Sequence, residues 1–372
     1  MQKLAQSWLV LEISNSPFLL GFDAFLGELP ILLFSLLGGV AADRADRRRL
    51  LLASQLTQMT AAFLLAGLIA GGVVRVWHIL GLSFVVGLAQ AFGGPAYQAL
   101  LPSLVKTEDL SNAIALNSIQ FNLARVIGPM LGGLALTQLG ASWCFALNGV
   151  SFLAVIASLM LMRTRFTPRT ASGSLLASLA EGLHFVRRRP AMPELTFLAF
   201  AVTLLGVPVV VFLPVFARHV FGGGPSVYTL LLSVYGGGSI AGALLVAVVG
   251  RRARKGRLAL SALVGLGLAT AAFALSAALS LSCGFLFLAG AALVTVFSLV
   301  STLVQEITPD GVRGRVMSVY NVAFRGGMPV GSLLAGVLVP HLGAPAVLAI
   351  NGLLISGLGA AYLLVRPQVA AL

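Results

Sequence analysis

The sequence predicts an all-α polytopic membrane protein composed of two related six-helix bundles. Its composition is the first indication, because 58% of the 372 residues are hydrophobic, only 9% are charged, and the mean hydropathy is +1.00. Soluble domains carry about a quarter charged residues, so this chain has too few charges to cover a surface that faces water. The other two indications are a series of long apolar segments and a repeated motif.

A membrane-spanning helix needs about 20 mostly apolar residues, and many segments of the chain reach that length. The predicted spans are 17–42, 50–73, 77–101, 113–139, 142–162, 194–217, 226–249, 258–280, 282–304, 315–339 and 345–365. Residues 3–14 are predicted to be the last half of a further helix at the start of the chain. The eleven full helices and this partial first helix make two sets of six.

Positively charged residues are concentrated in every second connection between the predicted spans. They lie in the loops 43–49, 102–112, 163–193, 250–257 and 305–315 and directly after the last span. The alternate loops contain only Arg75 and Arg218. Because cytoplasmic loops of membrane proteins are enriched in lysine and arginine, we predict that these five loops and the C-terminus are cytoplasmic. This topology accounts for the net charge of +13 without a nucleic-acid partner.

The long loop 163–193 divides the chain into the two sets of helices. Its second part, LLASLAEGLHFVRRRP, has the pattern of an amphipathic helix that lies along the inner membrane surface. The predicted domains are an N-terminal bundle (1–162), this cytoplasmic linker (163–193), a C-terminal bundle (194–366) and a short cytoplasmic tail (367–372).

One motif occurs in corresponding helices of the two sets. NLARVIGPMLGGLAL contains Arg125 and Pro129, and NVAFRGGMPVGSLLAG contains Arg325 and Pro329. Both read Arg-x-x-x-Pro followed by small residues, in the fifth and eleventh helices when the partial helix is counted as the first. A parallel repeat of six helices is typical of secondary transporters.

A dense charge cluster, GGVAADRADRRR, follows the second helix and carries a family resemblance. It resembles the signature G-x-x-x-D-R/K-x-G-R-R/K between the second and third helices of the major facilitator superfamily. The matching residues are Gly39, Asp43, Arg44, Arg47 and Arg48. Asp46 stands where the broad pattern has glycine, as is common in the enterobactin-exporter-like subgroup of bacterial drug and metabolite exporters. Other stretches, such as GGPAYQALLPSLVKTEDLSNAIALNS, also resemble this subgroup.

The resemblance implies a transporter that works by alternating access of its two halves. It also implies a gating role for Asp43, through a charge contact between the halves in the outward-facing state. The alternative is a plain cytoplasmic anchor, which would need the arginines of the cluster but not Asp43. The corresponding loop of the second half, VVGRRARKGRL, has no aspartate and is interpreted as an anchor.

Two carboxylates lie inside the second predicted helix, where ionisable residues are costly and tend to mark function. At 1.5 Å per residue, Glu28 is roughly 15 Å from the outer end and Asp23 is shallower, and their spacing points them in different directions. Facing a cavity, either carboxylate would couple proton entry to substrate exit. The structural alternative is that Asp23 reaches interfacial water and Glu28 faces a neighbouring polar helix.

Polar residues form a stripe on the fifth helix and a matching face on the eleventh. The candidate substrate or coupling residues are Asn117, Gln120, Arg125, Asn321 and Arg325, with Gln90, Tyr97 and Tyr235 as further cavity candidates. An arginine at membrane depth must face a cavity or a partner. Arg125 and Arg325 therefore bind an anionic substrate, pair with a carboxylate or stabilise the bundle, and the sequence leaves all three open.

The fifth helix also contains GPMLGG, which resembles the core of the antiporter signature of drug and metabolite exporters. The four matching residues are Gly128, Pro129, Gly132 and Gly133. Glycines allow close helix packing, and proline introduces a kink and leaves a carbonyl without its helical partner. By resemblance, this motif favours export over import.

The resulting prediction is a bacterial inner-membrane transporter, a monomer that exports a small organic molecule such as a drug, siderophore or metabolite in exchange for protons. No Walker A pattern is present, so ATP is not predicted as the energy source. No cofactor is predicted. An importer of the same fold remains an alternative. So does a truncated, non-transporting chain, because the family has a complete first helix. A membrane-embedded enzyme is disfavoured because no catalytic cluster of carboxylates or histidines is present.

Overall fold

The structure is a computed structural model that describes residues 1–162, 175–249 and 254–372, and these residues form helices and no strands. The helices are α1 (Gln2–Ser14), α2 (Pro17–Arg44), α3 (Arg47–Ala70), α4 (Val76–Leu100), α5 (Leu110–Gln138), α6 (Ala141–Leu161), α7 (Leu175–Arg188), α8 (Met192–Gly206), α9 (Pro208–Val215), α10 (Pro225–Val249), α11 (Lys255–Leu275), α12 (Leu279–Ile307), α13 (Arg313–Leu342), α14 (Ala344–Val365) and α15 (Pro367–Ala371).

Within the described residues, ten helical segments are long and apolar enough to cross a membrane. They are α2, α3, α4, α6, the continuous segment from α8 to Val220, and α10 to α14. Each coincides with a predicted span. The remaining prediction, 113–139, corresponds to α5, which is 29 residues long but is not one of the ten. The predicted all-helical, multi-pass fold is therefore confirmed.

The predicted helix 194–217 is divided in the structure. α8 ends at Gly206, α9 begins at Pro208, and one π-helical turn, Phe216–Val220, ends the segment. Proline has no N–H group to donate, and its ring displaces the carbonyl of the preceding turn. Pro208 and Pro214 therefore interrupt the ladder of helical hydrogen bonds.

The predicted helix 258–280 is wrong at its C-terminal end, because α11 stops at Leu275. Ser276 has an extended backbone, with φ −82° and ψ 128°. The hydroxyl group of Ser282, on the next helix, donates a hydrogen bond to the Ser276 carbonyl at 3.4 Å. This local side-chain bond satisfies a carbonyl that helix continuation would otherwise have used.

Contacts divide the chain into two units, Met1–Leu175 and Leu176–Leu372. In the first unit, α2 packs against α4, and α3 packs against both α4 and α6. In the second unit, α10 packs against α12, and α11 packs against both α12 and α14. The order of helices is the same in the two cases. The two units therefore repeat one packing scheme, as the repeated motif indicated.

One helix near the start of each unit contacts several other helices of that unit. The short helix α1 touches α2, α4, α5 and α6, and α8 touches α11, α12, α13 and α14. The helix α1 is consequently held against four other helices of the first unit.

Glycines permit the closest helix contacts in both units. A Cβ atom on Gly38 of α2 would overlap the carbonyl oxygen of Ala91 on α4, and a Cβ atom on Gly238 of α10 would overlap the carbonyl oxygen of Phe287 on α12. Backbones that approach this closely gain dispersion contacts, which drive helix association in a membrane. Gly238 lies in the sequence YGGGSI, and close packing explains a glycine at this position.

Replacing Gly38 by alanine is expected to destabilise the first unit by about 1–3 kcal/mol, the usual cost of overpacking. Thermal melting of the purified protein in detergent measures this effect. Gly39→Ala is the matched control, because no other group of the described residues lies within 4 Å of a Cβ atom built there. Equal melting temperatures for the two variants would contradict the packing of α2 on α4.

Candidate functional site

The charge cluster does not form the loop predicted at 43–49. α2 continues through Arg44 and α3 begins at Arg47. The carboxylate of Asp46 accepts hydrogen bonds from the backbone N–H groups of Arg48 at 2.9 Å and Arg49 at 3.4 Å. Aspartate is a preferred helix N-cap, so Asp46 starts α3 two residues after α2 ends. This local role accounts for an acidic residue at that position.

Two arginines of the cluster bind the carbonyl ends of three neighbouring helices. Arg47 donates from Nε to the carbonyl of Ala42 on α2 at 3.1 Å and from Nη1 to that of Ala99 on α4 at 3.0 Å. Arg48 donates from Nη2 to the carbonyl of Met160 on α6 at 2.7 Å. The last carbonyls of a helix have no helical partner. These arginines therefore tie the ends of α2, α4 and α6 to the start of α3.

The other three residues of the signature contribute little to packing in the first unit. Asp43 Oδ1 lies 3.8 Å from Arg47 Nη2, and its side chain is 47% exposed. Arg44 is exposed and makes no ion pair among the described residues of its unit. Gly39 faces open space there. Asp43, Arg44 and Gly39 thus remain available for a role that the fold of this unit does not require.

The second unit joins corresponding helix ends with an ion pair instead. Lys255, the first residue of α11, bonds to Glu306 near the end of α12. Of the predicted anchor at 250–257, residues 250–253 lie outside the described residues. Arg366 also lies 3.9 Å from Glu194, so the end of α14 is close to the start of α8.

Asp23 is buried in a polar cluster formed by α1, α2 and α4. Its residue exposure is 5%. Gln6 Nε2 lies 2.8 Å and 3.1 Å from the two carboxyl oxygens of Asp23 and 2.7 Å from the hydroxyl oxygen of Ser83. The Ser83 hydroxyl is also in hydrogen-bond contact with Asp23 Oδ1 and with the carbonyl of Ile79. The alternative that Asp23 reaches interfacial water is therefore wrong.

Glu28 forms an ion pair with the same short helix. Lys3 Nζ lies 3.1 Å from Glu28 Oε1, and the side chains are 91% and 22% exposed respectively. The five-residue spacing predicted different directions for Asp23 and Glu28, yet α1 contacts both. Lys3 and Gln6 are one helical turn apart, and the long lysine side chain reaches the second carboxylate.

The polar stripe of the fifth helix is partly paired. The hydroxyl group of Tyr97 on α4 donates to Asn117 Oδ1 at 2.5 Å. The rings of Tyr97 and Phe121 are arranged edge to face, with 6.3 Å between their centroids. Gln120 is exposed. Arg125 belongs to α5, but its side chain lies outside what the structure describes. The exposed Gln90 accepts a hydrogen bond from Gln58 at 3.4 Å.

Among the antiporter-like residues of α5, the two nearer the C-terminal end of the helix are buried inside the first unit. Gly132 and Gly133 are buried, whereas Gly128 and Pro129 are half-buried. A Cβ atom on Gly132 would lie 2.9 Å from the Cα atom of Met1. Of the four motif residues, Gly132 therefore makes a close contact within this unit.

On α13, Arg325 and Asn321 lie one turn apart on one face. Asn321 is exposed and Arg325 is half-buried. The neighbouring ring of Phe324 packs edge to face against Phe297 of α12, with 4.6 Å between the ring centroids. It lies nearly parallel to the ring of Tyr320, with 6.3 Å between the centroids. The other cavity candidate of this unit, Tyr235, is buried in α10.

Sequence reasoning did not select Lys3, Gln6 or Ser83, the residues that contact the two carboxylates. The polar spacing of Lys3 and Gln6 in QKLAQS was the available signal for a polar face on α1. Ser83 lies in the apolar stretch LGLSFVV, where nothing distinguishes it from a serine bonded only to its own helix.

The chain matches the family model described as transmembrane secretion effector, MFS_3, over residues 1–371. It is 28% identical over 357 residues to the multidrug efflux pump Tap of Mycolicibacterium fortuitum, covering 92% of this chain and 86% of Tap. It is 26% identical over 370 residues to the enterobactin exporter EntS of Salmonella typhi, covering 96% of this chain and 86% of EntS.

Solved structures of transporters share the fold at low sequence identity. A variant of the nucleoside transporter NupG aligns with a TM-score of 0.77 at 13% identity, covering 97% of this chain and 94% of NupG. A bacterial homologue of the iron transporter ferroportin, in an inward-facing state, aligns with a TM-score of 0.67 at 18% identity, covering 97% of this chain and 95% of the homologue.

The family match describes a membrane transporter rather than an enzyme, and the helical fold and its apolar spans agree with this. The two relatives named above are an efflux pump and an exporter. Since the family model covers nearly the whole chain, this protein belongs to the transmembrane secretion effector family of the major facilitator superfamily.

Proposed function

We propose that this transporter exports a small organic molecule across a bacterial inner membrane in exchange for protons, by alternating access of its two halves. The names of Tap and EntS, an efflux pump and an exporter, support the direction. The polar cluster around Asp23 supports the coupling to protons, and it is the observation on which this proposal rests.

The hydrogen atoms available in this cluster favour a protonated Asp23. Counting only the shorter of the two contacts between Gln6 and Asp23, four contacts need a hydrogen: Gln6 to Asp23, Gln6 to Ser83, Ser83 to the carbonyl of Ile79, and Ser83 to Asp23. The Gln6 amide supplies two hydrogens and the Ser83 hydroxyl supplies one. A protonated carboxyl group on Asp23 supplies the fourth and satisfies these four contacts.

The surroundings of Asp23 also favour its neutral form. Both side chains that hydrogen-bond to it are neutral, and burial of a carboxylate without a directly bonded cation is costly. The basic residue of α1 is Lys3, and its charge is paired with Glu28. Loss of the proton would place a new negative charge beside α1 and change the attraction between α1 and α2. Such a change is suited to coupling proton release to movement.

The second element of the proposal is gating by Asp43. Arg47 and Arg48 are already used to tie helix ends, and Asp46 is used as an N-cap. Asp43 is half-exposed and only loosely paired, at 3.8 Å from Arg47. The first unit does not need this carboxylate for its own packing, which favours a role in the transport cycle over a plain anchor.

Transport in inverted membrane vesicles tests direction and coupling together. Labelled drugs and siderophores should accumulate inside these vesicles when the interior is acidic, because uptake there corresponds to export from the cell. A protonophore should abolish the accumulation. Accumulation that persists after the gradient has collapsed would contradict proton coupling. Transport that concentrates the compounds only in right-side-out vesicles would favour the importer.

Asp23→Asn should abolish gradient-driven accumulation but retain exchange of substrate across vesicles without a gradient. Asparagine keeps the size and neutral hydrogen bonding of a protonated aspartate but cannot release a proton. The infrared carbonyl band of a protonated carboxyl group should be present in the wild-type protein at mildly acidic pH and lost in this variant. Glu108→Gln, at an exposed carboxylate, is the control. An unchanged infrared band in Asp23→Asn would contradict the assignment.

Asp43→Asn should insert and melt like the wild-type protein but transport poorly, since it removes only the half-exposed charge. Asp46→Asn is the matched control in the same cluster, because asparagine also caps helices well and should leave transport near the wild-type rate. Initial rates in vesicles, normalised to protein content, measure both variants. A wild-type transport rate for Asp43→Asn would contradict the gating role and favour the interpretation of the cluster as a plain anchor.

A further inference from the structure

Arg325 carries a charge near the middle of a membrane-spanning helix. It is the thirteenth residue of the 30-residue helix α13, so it lies about 18 Å along the helix axis from the first residue. Its side chain is half-buried, and it makes no ion pair or side-chain hydrogen bond among the described residues of its own unit. A charge at this depth needs a partner or an aqueous cavity.

The carboxylates of the second unit are already used elsewhere. All four lie outside the spans or near their ends, and each is paired with a basic side chain. The pairs are Glu181 with Arg315, Glu194 with Arg366, Glu306 with Lys255, and Asp310 with Arg313. None of them is available as the counter-charge of Arg325.

The two carboxylates inside a span of the first unit are also occupied. Glu28 is paired with Lys3, and Asp23 is enclosed by Gln6 and Ser83. The chain therefore holds a membrane-depth guanidinium group whose counter-charge is not one of these side chains. A bound anion would supply that charge.

The residues beside Arg325 indicate what else such an anion would carry. Asn321, one turn earlier on the same face, is exposed and offers both a donor and an acceptor. Phe324 and Phe297 are half-buried and meet edge-to-face at 4.6 Å. A flat ring on the bound anion would pack favourably against the phenylalanine rings and against the guanidinium group. Buried Tyr320 lies against Phe324 and helps to fix its orientation.

We infer that Asn321, Phe324 and Arg325 of α13, with Phe297 of α12, form a binding site for an organic anion that carries an aromatic ring. The inference rests on the proposed export of a small organic molecule and specifies its chemical class. The guanidinium group binds the anionic group in a charge-assisted hydrogen bond, and the two phenylalanines contact the ring. The position near the middle of α13 separates this site from lipid headgroups at the membrane surface.

Binding to the purified full chain in detergent free of anionic lipid tests the site without transport. The probes are 2-naphthoate, neutral 2-naphthalenemethanol and cationic 2-naphthylmethylammonium, which share one ring system and differ in charge. Calorimetry should show that the anion binds about tenfold or more tightly than the other two, as expected for hydrogen bonds to a charged group. Equal binding of the three probes, or no binding of the anion, would overturn the inference.

Variants at Arg325 assign the effect to this side chain. Arg325→Gln should lose most of the preference for 2-naphthoate, and Arg325→Lys should retain part of it, because lysine keeps the charge but not the planar fork. Arg313→Gln, at a surface ion pair of the same helix, should leave binding unchanged. Wild-type affinity for the anion in a folded Arg325→Gln protein would contradict the site.

The same measurements separate this inference from the proposed function. Anion-selective binding that depends on Arg325, in a protein that shows no proton-driven efflux, would support the site and refute proton-coupled export. Proton-driven efflux of cationic compounds alone, unaffected by Arg325→Gln, would support export and refute the anion site.

Discussion

The hydrocarbon interior of a membrane contains no water to satisfy polar groups, and the organisation of this protein follows from that constraint. Helices satisfy their own backbone along most of their length, but their last carbonyls need other donors. Arg47 and Arg48 supply these donors to α2, α4 and α6. Positive charge at this end of the bundle therefore also holds four helix ends together.

The same constraint explains how the polar side chains of the first unit are arranged. α1 is short, but it touches four helices and carries the polar residues that meet the carboxylates of α2. Glu28 has a lysine as its partner, whereas Asp23 has neutral hydrogen-bond partners. One neighbouring helix thus contacts two carboxylates in different settings, one paired with a cation and the other enclosed by neutral hydrogen-bond partners.

The two units share a packing scheme but differ in the charges inside their spans. The first contains Asp23 and Glu28, while the spans of the second have carboxylates only near their ends. Arg325 consequently lacks an internal counter-charge among the described residues of the second unit. Together with the two proposals, this asymmetry suggests a division of work, with the proton held in one half and an organic anion bound in the other. The packing scheme is common to both units, whereas the charged residues inside the spans differ between them.

Much of the fold could be predicted from the sequence, because hydropathy over about 20 residues reflects the thickness of the membrane. The repeat of Arg125 and Arg325 likewise indicated the two related units. Tertiary structure decided which polar groups meet. Gln6, Ser83 and Asp23 are far apart in the chain, and no local pattern brings them together. It also showed that Gly38, rather than Gly39, touches α4, because contact between helices depends on their relative rotation, which periodicity in a uniformly apolar helix does not specify.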